Sequence, residues 1–197
     1  MRRGGWSAPE GVLSTPGEIM PFPSIETLGT RIWITGPAAG GKSTLAVALG
    51  RRLDLPVIHL DRLRFAPESN WVSVPEPQFL AATVSAEAGE RWIIDGNYFG
   101  RLAQHGTRAT SLINLSSPTL GNFARYVRRS LVSHDRAGRL AGAPERINWR
   151  MTRWILWDEP RRRKTRREQL RRLDLPLVET SSMAGLRRLY EAWGLER

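Results

Sequence analysis

The chain contains no cysteine among its 197 residues. It therefore has no disulfide framework and no cysteine-based metal site, which is compatible with a reducing cytosol. No apolar run approaches the roughly 18 residues that would suggest a membrane span. No apolar segment typical of a signal peptide follows the N-terminal MRRGG. No spacing of histidines and acidic residues suggests a structural metal. We expect a cytoplasmic protein that makes no membrane contact.

Positive charge, in contrast, is abundant and unevenly distributed. The net charge is +11. Residues 1–120 hold 11 lysines and arginines against 10 acidic residues, whereas residues 121–197 hold 19 against 9. A basic C-terminal portion suits a protein that binds nucleic acid. It equally suits an enzyme that surrounds phosphate groups with arginine, so both interpretations stay open.

Short apolar segments alternate with helical patterns from Arg31 onwards. Five segments predict strands: RIWIT, PVIHLD, RWIIDGN, TSLINLSS and LPLVETS. Helical patterns separate the strands, and such an alternation predicts parallel βαβ units. We therefore expect an α/β fold of three layers, in which helices cover both faces of a five-stranded parallel sheet. Residues 145–173 read as a helix that is interrupted at Pro160.

The rest of the chain divides into three parts. Residues 1–29 are rich in proline and glycine and read as a flexible leader. Residues 30–197 form one domain. Within it, residues 134–160 predict a helical, mobile lid, because Gly138 and Gly142 provide hinges and several arginines could close over a nucleotide.

The turn after the first strand carries a phosphate-binding motif. Its sequence, GPAAGGKS, matches G-x-x-x-x-G-K-[ST] between a strand and a helix. Glycines let the backbone N–H groups approach an anion, and the helix N-terminus adds its dipole. Lys42 is expected to reach the β- and γ-phosphates, and Ser43 to hold Mg²⁺. The predicted nucleotide-binding residues are Gly36, Pro37, Ala38, Ala39, Gly40, Gly41, Lys42, Ser43 and Thr44. They predict a P-loop NTPase fold with ATP and Mg²⁺ as cofactors.

Two aspartates follow predicted strands and are candidates for metal and acceptor chemistry. The carboxyl ends of parallel strands face one crevice. Asp95 ends WIID and could hold Mg²⁺ through water, and Asp61 ends VIHLD and could orient the acceptor. A helix cap or a surface ion pair is the alternative for each. His59 is expected to be a packed or hydrogen-bonded side chain rather than a catalyst.

Arginines dominate the remaining candidates. Arg125 and Arg129 lie four residues apart, so they share a helix face and could stabilise charge on the transferred phosphoryl group. A solvated basic surface is the alternative. The run at 161–172, RRRKTRREQLRR, is expected to be mainly a solvated helix, with nucleic-acid contact as the other option.

The motifs taken in order resemble a known group. GPAAGGKST, HLD, WIIDGNY, SSP with its following arginines, and PERINWRMTRWILW are similar to the adenylate-kinase-related P-loop proteins labelled DNA topology modulation proteins. The resemblance covers about residues 31–193. It implies the nucleoside monophosphate kinase fold and ATP-dependent phosphoryl transfer, with Asp95, Arg125 and Arg129 at motif positions. Ser116 departs from the group, which has an aspartate there.

These observations predict a P-loop kinase that transfers the γ-phosphoryl group to a small acceptor, plausibly a nucleotide. The expected catalytic residues are Lys42, Asp61, Asp95, Arg125 and Arg129, with Ser43 and Asp95 at the metal. The alternative is a nucleotide-gated nucleic-acid-binding protein without kinase activity. The sequence does not set the oligomeric state.

Overall fold

The computed structural model describes residues 22–67, 69, 72–98, 108–132 and 147–196. Their strands lie close to the predicted positions. The strands are β1 (Arg31–Thr35), β2 (Val57–His59), β3 (Trp92–Asp95), β4 (Ser111–Leu115) and β5 (Leu177–Thr180). The helices are α1 (Lys42–Leu53), α2 (Leu60–Arg64), α3 (Glu76–Glu87), α4 (Thr119–Val132), α5 (Trp149–Arg153), α6 (Glu159–Arg171) and α7 (Met183–Ala192).

The five strands form one parallel sheet in the order β2-β3-β1-β4-β5. The chain leaves β1 for the β2–β3 side of the sheet and then returns to β4 and β5 on the other side. The direction therefore changes at the carboxyl end of β1, which is where open α/β sheets form their binding crevice. The predicted fold class, a five-stranded parallel sheet with helices on both faces, is confirmed.

Each sheet face is covered by its own hydrophobic cluster. On one face, Ile32 and Ile34 of β1 pack with Leu45 and Leu49 of α1, and α7 contributes to the same cluster. On the other face, Trp33 packs with residues of α2 and α6. The alternation of side chains along each strand explains why neighbouring residues of β1 enter different clusters. Trp33 and Trp92 are fully buried.

The segment before β1 is part of this core. Residues 22–29, which the sequence assigned to the leader, contain a 3₁₀ helix at Ile25–Leu28. Ile25 and Leu28 are buried in the cluster that contains α1 and α7. The Trp193 indole Nε1 donates to the Pro23 carbonyl at 2.9 Å. The predicted leader therefore wrongly includes residues 22–29. The surrounding prolines and glycines made this segment resemble a loop, although its apolar side chains have helical spacing.

The helical segment 149–171 is not interrupted at Pro160 but continues through a wider turn just before it. A π-helical turn, Trp154–Asp158, joins α5 to α6, and the Glu159 N–H donates to the Trp154 carbonyl five residues earlier. Proline lacks an N–H and crowds the carbonyl four residues before it, so a wider turn accommodates it without ending the helix. Most of the predicted lid, including Gly138 and Gly142, lies outside the described residues.

Candidate functional site

The phosphate loop has a backbone that its glycines make possible. Gly36 and Gly41 have φ values of +144° and +94°. A Cβ atom at Gly36 would lie 2.5 Å from the Leu115 carbonyl oxygen of β4. The Gly36 N–H donates to Asn97 Oδ1 at 2.9 Å, and the Asn97 amide donates back to the Gly36 carbonyl. The loop is therefore fixed against β4 and the residues that follow β3.

The loop presents the N-terminus of α1 without a side-chain cap. Gly41 is the capping residue, in a left-handed conformation. An uncapped helix N-terminus has N–H groups available for an anion. Lys42 Nζ donates to the Pro37 carbonyl of the same loop at 2.9 Å. Burial lowers the pKa of Lys42, although Asp95 and Asp61 act in the opposite direction. The ammonium is thus held where phosphate oxygens would stabilise its charge.

Asp95 lies beside this loop and makes the contacts of an ionised carboxylate. His59 Nδ1 lies 2.9 Å from Asp95 Oδ1, and both side chains are buried. The Ser43 hydroxyl lies beside the same carboxylate. Burial acts to raise the pKa of Asp95, but the contacts with His59 and Ser43 and the charge of Lys42 together hold it below its usual value. The structure therefore brings Lys42, Ser43 and Asp95 together.

Asp61 has a different position from the one predicted. Strand β2 ends at His59, and Asp61 lies in the first turn of α2 with an exposed side chain. The Tyr98 hydroxyl donates to Asp61 Oδ1 at 2.8 Å, and burial raises the pKa of Tyr98. The Tyr98 ring packs on Phe79, with centroids 4.9 Å apart. The carboxylate is thus anchored at one oxygen near Lys42, whose pKa it influences.

Arg125 contacts the loop itself. Its Nε donates to the Ala39 carbonyl at 2.9 Å, at a residue with φ of +56°. Its Nη2 donates to the Ser117 hydroxyl at 3.2 Å and to the Asn122 side-chain oxygen. Ser117 follows Ser116, the position at which the resembled group has an aspartate. These contacts make Arg125 a support of the phosphate loop from α4.

Arg129, the second predicted arginine of α4, lies over the Tyr126 ring at 5.8 Å. The Tyr126 hydroxyl in turn accepts the Asn148 N–H at 2.8 Å, just before α5. The expected contact of Arg129 with a transferred phosphoryl group stays a prediction. Three arginines of the predicted lid, at positions 136, 139 and 146, lie outside the described residues.

Helix α6 brings charged side chains to the loop that the sequence interpretation missed. Glu159 is 1% exposed, and its Oε1 lies 3.5 Å from Arg166 Nη1. Both charges act on Lys42. Burial raises the pKa of Glu159. The sequence of residues 159–170 contained a signal for this face, because Glu159, Arg163, Arg166 and Leu170 recur at helical spacing.

The residues around the phosphate loop fit a triphosphate with a magnesium ion. The α1 N-terminus lacks a side-chain cap, and Ser43 and Asp95 offer oxygen donors beside Lys42. Oxygen donors are those that Mg²⁺ prefers, and it takes few from the protein when phosphates supply others. In the described part of the chain, no three histidines or acidic residues form a metal-binding group. No described helix has the length and apolar character to cross a bilayer.

Comparisons with known proteins give structural neighbours of low identity. No protein-family model matches the chain, and no curated protein sequence matches it significantly. A shikimate kinase from Bacteroides thetaiotaomicron is similar, with 18% identity, coverage of 82% of this chain and 96% of that chain, and a TM-score of 0.48. A gluconokinase from Sinorhizobium meliloti has 19% identity, coverage of 84% and 95%, and a TM-score of 0.45.

A shikimate kinase from Acinetobacter baumannii, solved in complex with shikimate, gives 17% identity, coverage of 84% and 93%, and a TM-score of 0.47. The strand order of this chain and its phosphate loop give it a P-loop kinase-like fold. The narrower resemblance to proteins labelled DNA topology modulation proteins stays a prediction.

Proposed function

We propose that this protein is an ATP- and Mg²⁺-dependent phosphotransferase that acts on a small acceptor, with nucleotides as the first class of acceptor to test. One observation carries the proposal. Asp95 lies beside both Ser43 and Lys42 at an uncapped helix N-terminus. A nucleotide site that only bound phosphate would not need a buried, ionised carboxylate next to the phosphate-binding lysine, because that charge opposes anion binding unless a cation accompanies the anion.

The phosphate side of the site is assigned to the loop and its supports. Bound ATP would supply the phosphoryl group, and Mg²⁺ would neutralise charge on the phosphate oxygens. Ser43 and Asp95 would hold the ion. Lys42 would exchange its contact with the Pro37 carbonyl for contacts with phosphate oxygens. Arg125 would keep Ala39 in place, so that its role is to position the loop.

The acceptor side is assigned to Asp61. Its carboxylate is exposed, and Tyr98 occupies one of its two oxygens. The other oxygen is available to orient an acceptor hydroxyl and to take its proton as the acceptor oxygen attacks phosphorus. Tyr98 would hold the carboxylate in one orientation, which is the condition for general-base catalysis.

Nucleotide binding can be tested without knowledge of the acceptor. Titration calorimetry with MgATP should show Lys42→Ala weakened at least about tenfold, because charged hydrogen bonds contribute about 1.5–3 kcal/mol. Lys164→Ala is the matched control, since it removes the same charge from an exposed position on α6. Equal affinity of wild type, Lys42→Ala and Lys164→Ala would contradict the assignment of the loop.

Phosphoryl transfer needs a second experiment. ADP release from MgATP should be followed with a panel of nucleoside monophosphates, nucleosides and small polyols. An active acceptor should raise ADP release in wild type, and Asp61→Asn should lower that turnover while leaving MgATP binding close to wild type. If no acceptor stimulates turnover although MgATP binds, the transferase assignment fails while the nucleotide site stands.

A further inference from the structure

The helical segment 149–171 carries a surface feature that the phosphate site does not use. Trp149, Arg153, Trp157 and Arg161 follow one another at intervals of four residues, and all four are exposed. We call these four residues the aromatic–arginine stripe. Trp149 and Trp157 are 72% and 46% exposed, and their ring centroids lie 6.5 Å apart. Two tryptophans in mutual contact on the surface are unusual, because this side chain is normally among the more buried ones.

The other face of the same helix is already occupied. Ile155, Glu159, Arg166 and Leu170 are buried, and the Glu159–Arg166 ion pair acts on the charge of Lys42. The stripe therefore points away from the core of the domain. Packing against the residues that the structure describes does not explain why its tryptophans are there, and the proposed phosphoryl transfer does not use them.

The surroundings of the stripe are strongly basic. Residues 147–172 contain ten lysines and arginines against three acidic residues. One of the three acids, Asp158, lies 3.6 Å from Arg153. Another, Glu159, is buried with Arg166. The surface that surrounds the two tryptophans is therefore positive and attracts polyanions.

We propose that the aromatic–arginine stripe binds single-stranded nucleic acid. Exposed aromatic side chains beside cationic ones are the combination that non-specific single-strand binders use: bases stack on the rings and phosphates contact the cations. The alternation of Trp149, Arg153, Trp157 and Arg161 offers both partners in turn along one helix face. Charge complementarity thus favours a polyanion, and the rings favour one with exposed flat bases.

The same observations disfavour the other occupants of such a surface. A second copy of the chain would bring two basic helices together, which like-charge repulsion opposes. A duplex hides the faces of its bases, so the rings would have nothing to stack on. A membrane-surface helix needs a broad apolar face. Besides Trp149 and Trp157, the described residues 147–171 include only Ile147 as a large exposed apolar residue.

The test uses the full chain and two labelled probes, a 20-nucleotide oligothymidylate and a duplex of equal length. Fluorescence anisotropy should show tighter binding of the single strand at 50 mM NaCl. Trp149→Ala/Trp157→Ala should weaken that binding at least about tenfold, given the usual loss on removing stacked aromatics. Arg153→Ser/Arg161→Ser should reduce the slope of log Kd against log salt by about 1.4, since each single-strand phosphate contact contributes about 0.7.

Arg187→Ser/Arg188→Ser is the matched control, because it removes two exposed arginines from α7. It should leave the affinity and the salt slope close to wild type. All substituted side chains are exposed, so melting temperatures should stay close to wild type and exclude a general loss of fold. The proposal does not depend on kinase activity, because the binding of both probes is measured without ATP.

Four results would overturn the proposal. The first is no binding of the oligothymidylate at 50 mM NaCl, and the second is equal affinity of wild type and the tryptophan variant. The third is duplex binding as tight as single-strand binding with the same dependence on both tryptophans. The fourth is loss of self-association in the tryptophan variant, measured by sedimentation, which would identify the stripe as an interface between copies of this chain.

Discussion

His59 Nδ1 and Asp95 Oδ1 are 2.9 Å apart and join the carboxyl ends of β2 and β3 inside the protein. The two residues are register partners on neighbouring parallel strands, so the sheet itself holds them together. Asp95 also lies beside Ser43 of the phosphate loop. The pair therefore connects the sheet to the loop through one buried carboxylate, and the position of that carboxylate depends on His59.

The first prediction concerns His59. His59→Ala removes the main hydrogen-bond partner of a buried carboxylate, and we expect it to lower the free energy of unfolding by about 1–3 kcal/mol. His59→Asn keeps an N–H donor and should lose clearly less. Urea unfolding at pH 7 measures both. Equal losses in the two variants would show that the volume of the histidine ring, and not its hydrogen bond, stabilises the protein.

The sequence alone locates the parts of the site that lie within one element or directly after it. The phosphate loop, α1 and Asp95 lie within or directly after single elements, so motif and strand pattern locate them without tertiary information. His59 was correctly expected to be hydrogen-bonded. Its partner, however, comes from a neighbouring strand 36 residues later, and no local pattern reveals such a pairing.

Other parts could not be predicted for identifiable physical reasons. Asp61 falls in α2 because β2 ends after three residues, and strand ends are poorly marked in sequence. The sequence spacing places Glu159 and Arg166 on one face of α6, but it does not show that this face lies near Lys42, because Lys42 belongs to a distant part of the chain. Arg125 binds the loop carbonyl because α4 crosses beside the phosphate loop, and that contact spans 86 residues.

The second prediction tests the loop backbone. Gly36→Ala would place a Cβ 2.5 Å from the Leu115 carbonyl at a φ of +144°, so β4 or the loop must move. We expect MgATP binding to be lost and stability to fall by at least about 1–3 kcal/mol. Gly89→Ala is the control, since its Cβ would make an ordinary contact at 3.8 Å. A Gly36→Ala variant that binds MgATP like wild type would refute the tight approach between loop and β4.

The third prediction separates loop support from phosphate contact. Arg125→Ala removes the hydrogen bond to the Ala39 carbonyl and should weaken MgATP binding about tenfold, in line with 1.5–3 kcal/mol for a charged hydrogen bond. Arg128→Ala changes an exposed arginine on the same helix and should bind MgATP normally. Calorimetry gives both affinities. Normal MgATP binding by Arg125→Ala would show that Arg125 does not support the phosphate loop.

The fourth prediction tests whether residues before β1 belong to the fold. Leu28 is 1% exposed in the cluster with α1 and α7, so Leu28→Ala should cost about 2–5 kcal/mol of stability. Leu120→Ala is the matched control, because Leu120 is 76% exposed on α4. If urea unfolding shows that both substitutions lower the free energy of unfolding by the same small amount, residues 22–29 do not contribute to the folded core.

The fifth prediction concerns pH and the edge strand. Glu179 of β5 accepts hydrogen bonds from Arg167 at 2.7 Å and Asn114 at 2.9 Å. Burial acts to raise the pKa of Glu179, but these hydrogen bonds and the charges of Arg167 and Arg171 hold it below the usual value of 4.5. The folded protein then binds fewer protons than the unfolded chain as the carboxyl titrates. The stabilisation is therefore complete above about pH 4.5 and is lost as the pH falls through the lowered pKa.

Glu179→Gln should consequently be less stable than wild type at pH 7, by about 1 kcal/mol because the arginines are largely exposed. The difference should shrink below about pH 4.5 and disappear once the wild-type carboxyl is protonated in the folded state. Urea midpoints between pH 7 and pH 3 measure it. Glu191→Gln, at an exposed position on α7, is the control and should follow wild type throughout. A constant difference between Glu179→Gln and wild type across this range would mean that the amide packs poorly and that the carboxylate charge contributes nothing, because only a titrating charge makes the difference depend on pH.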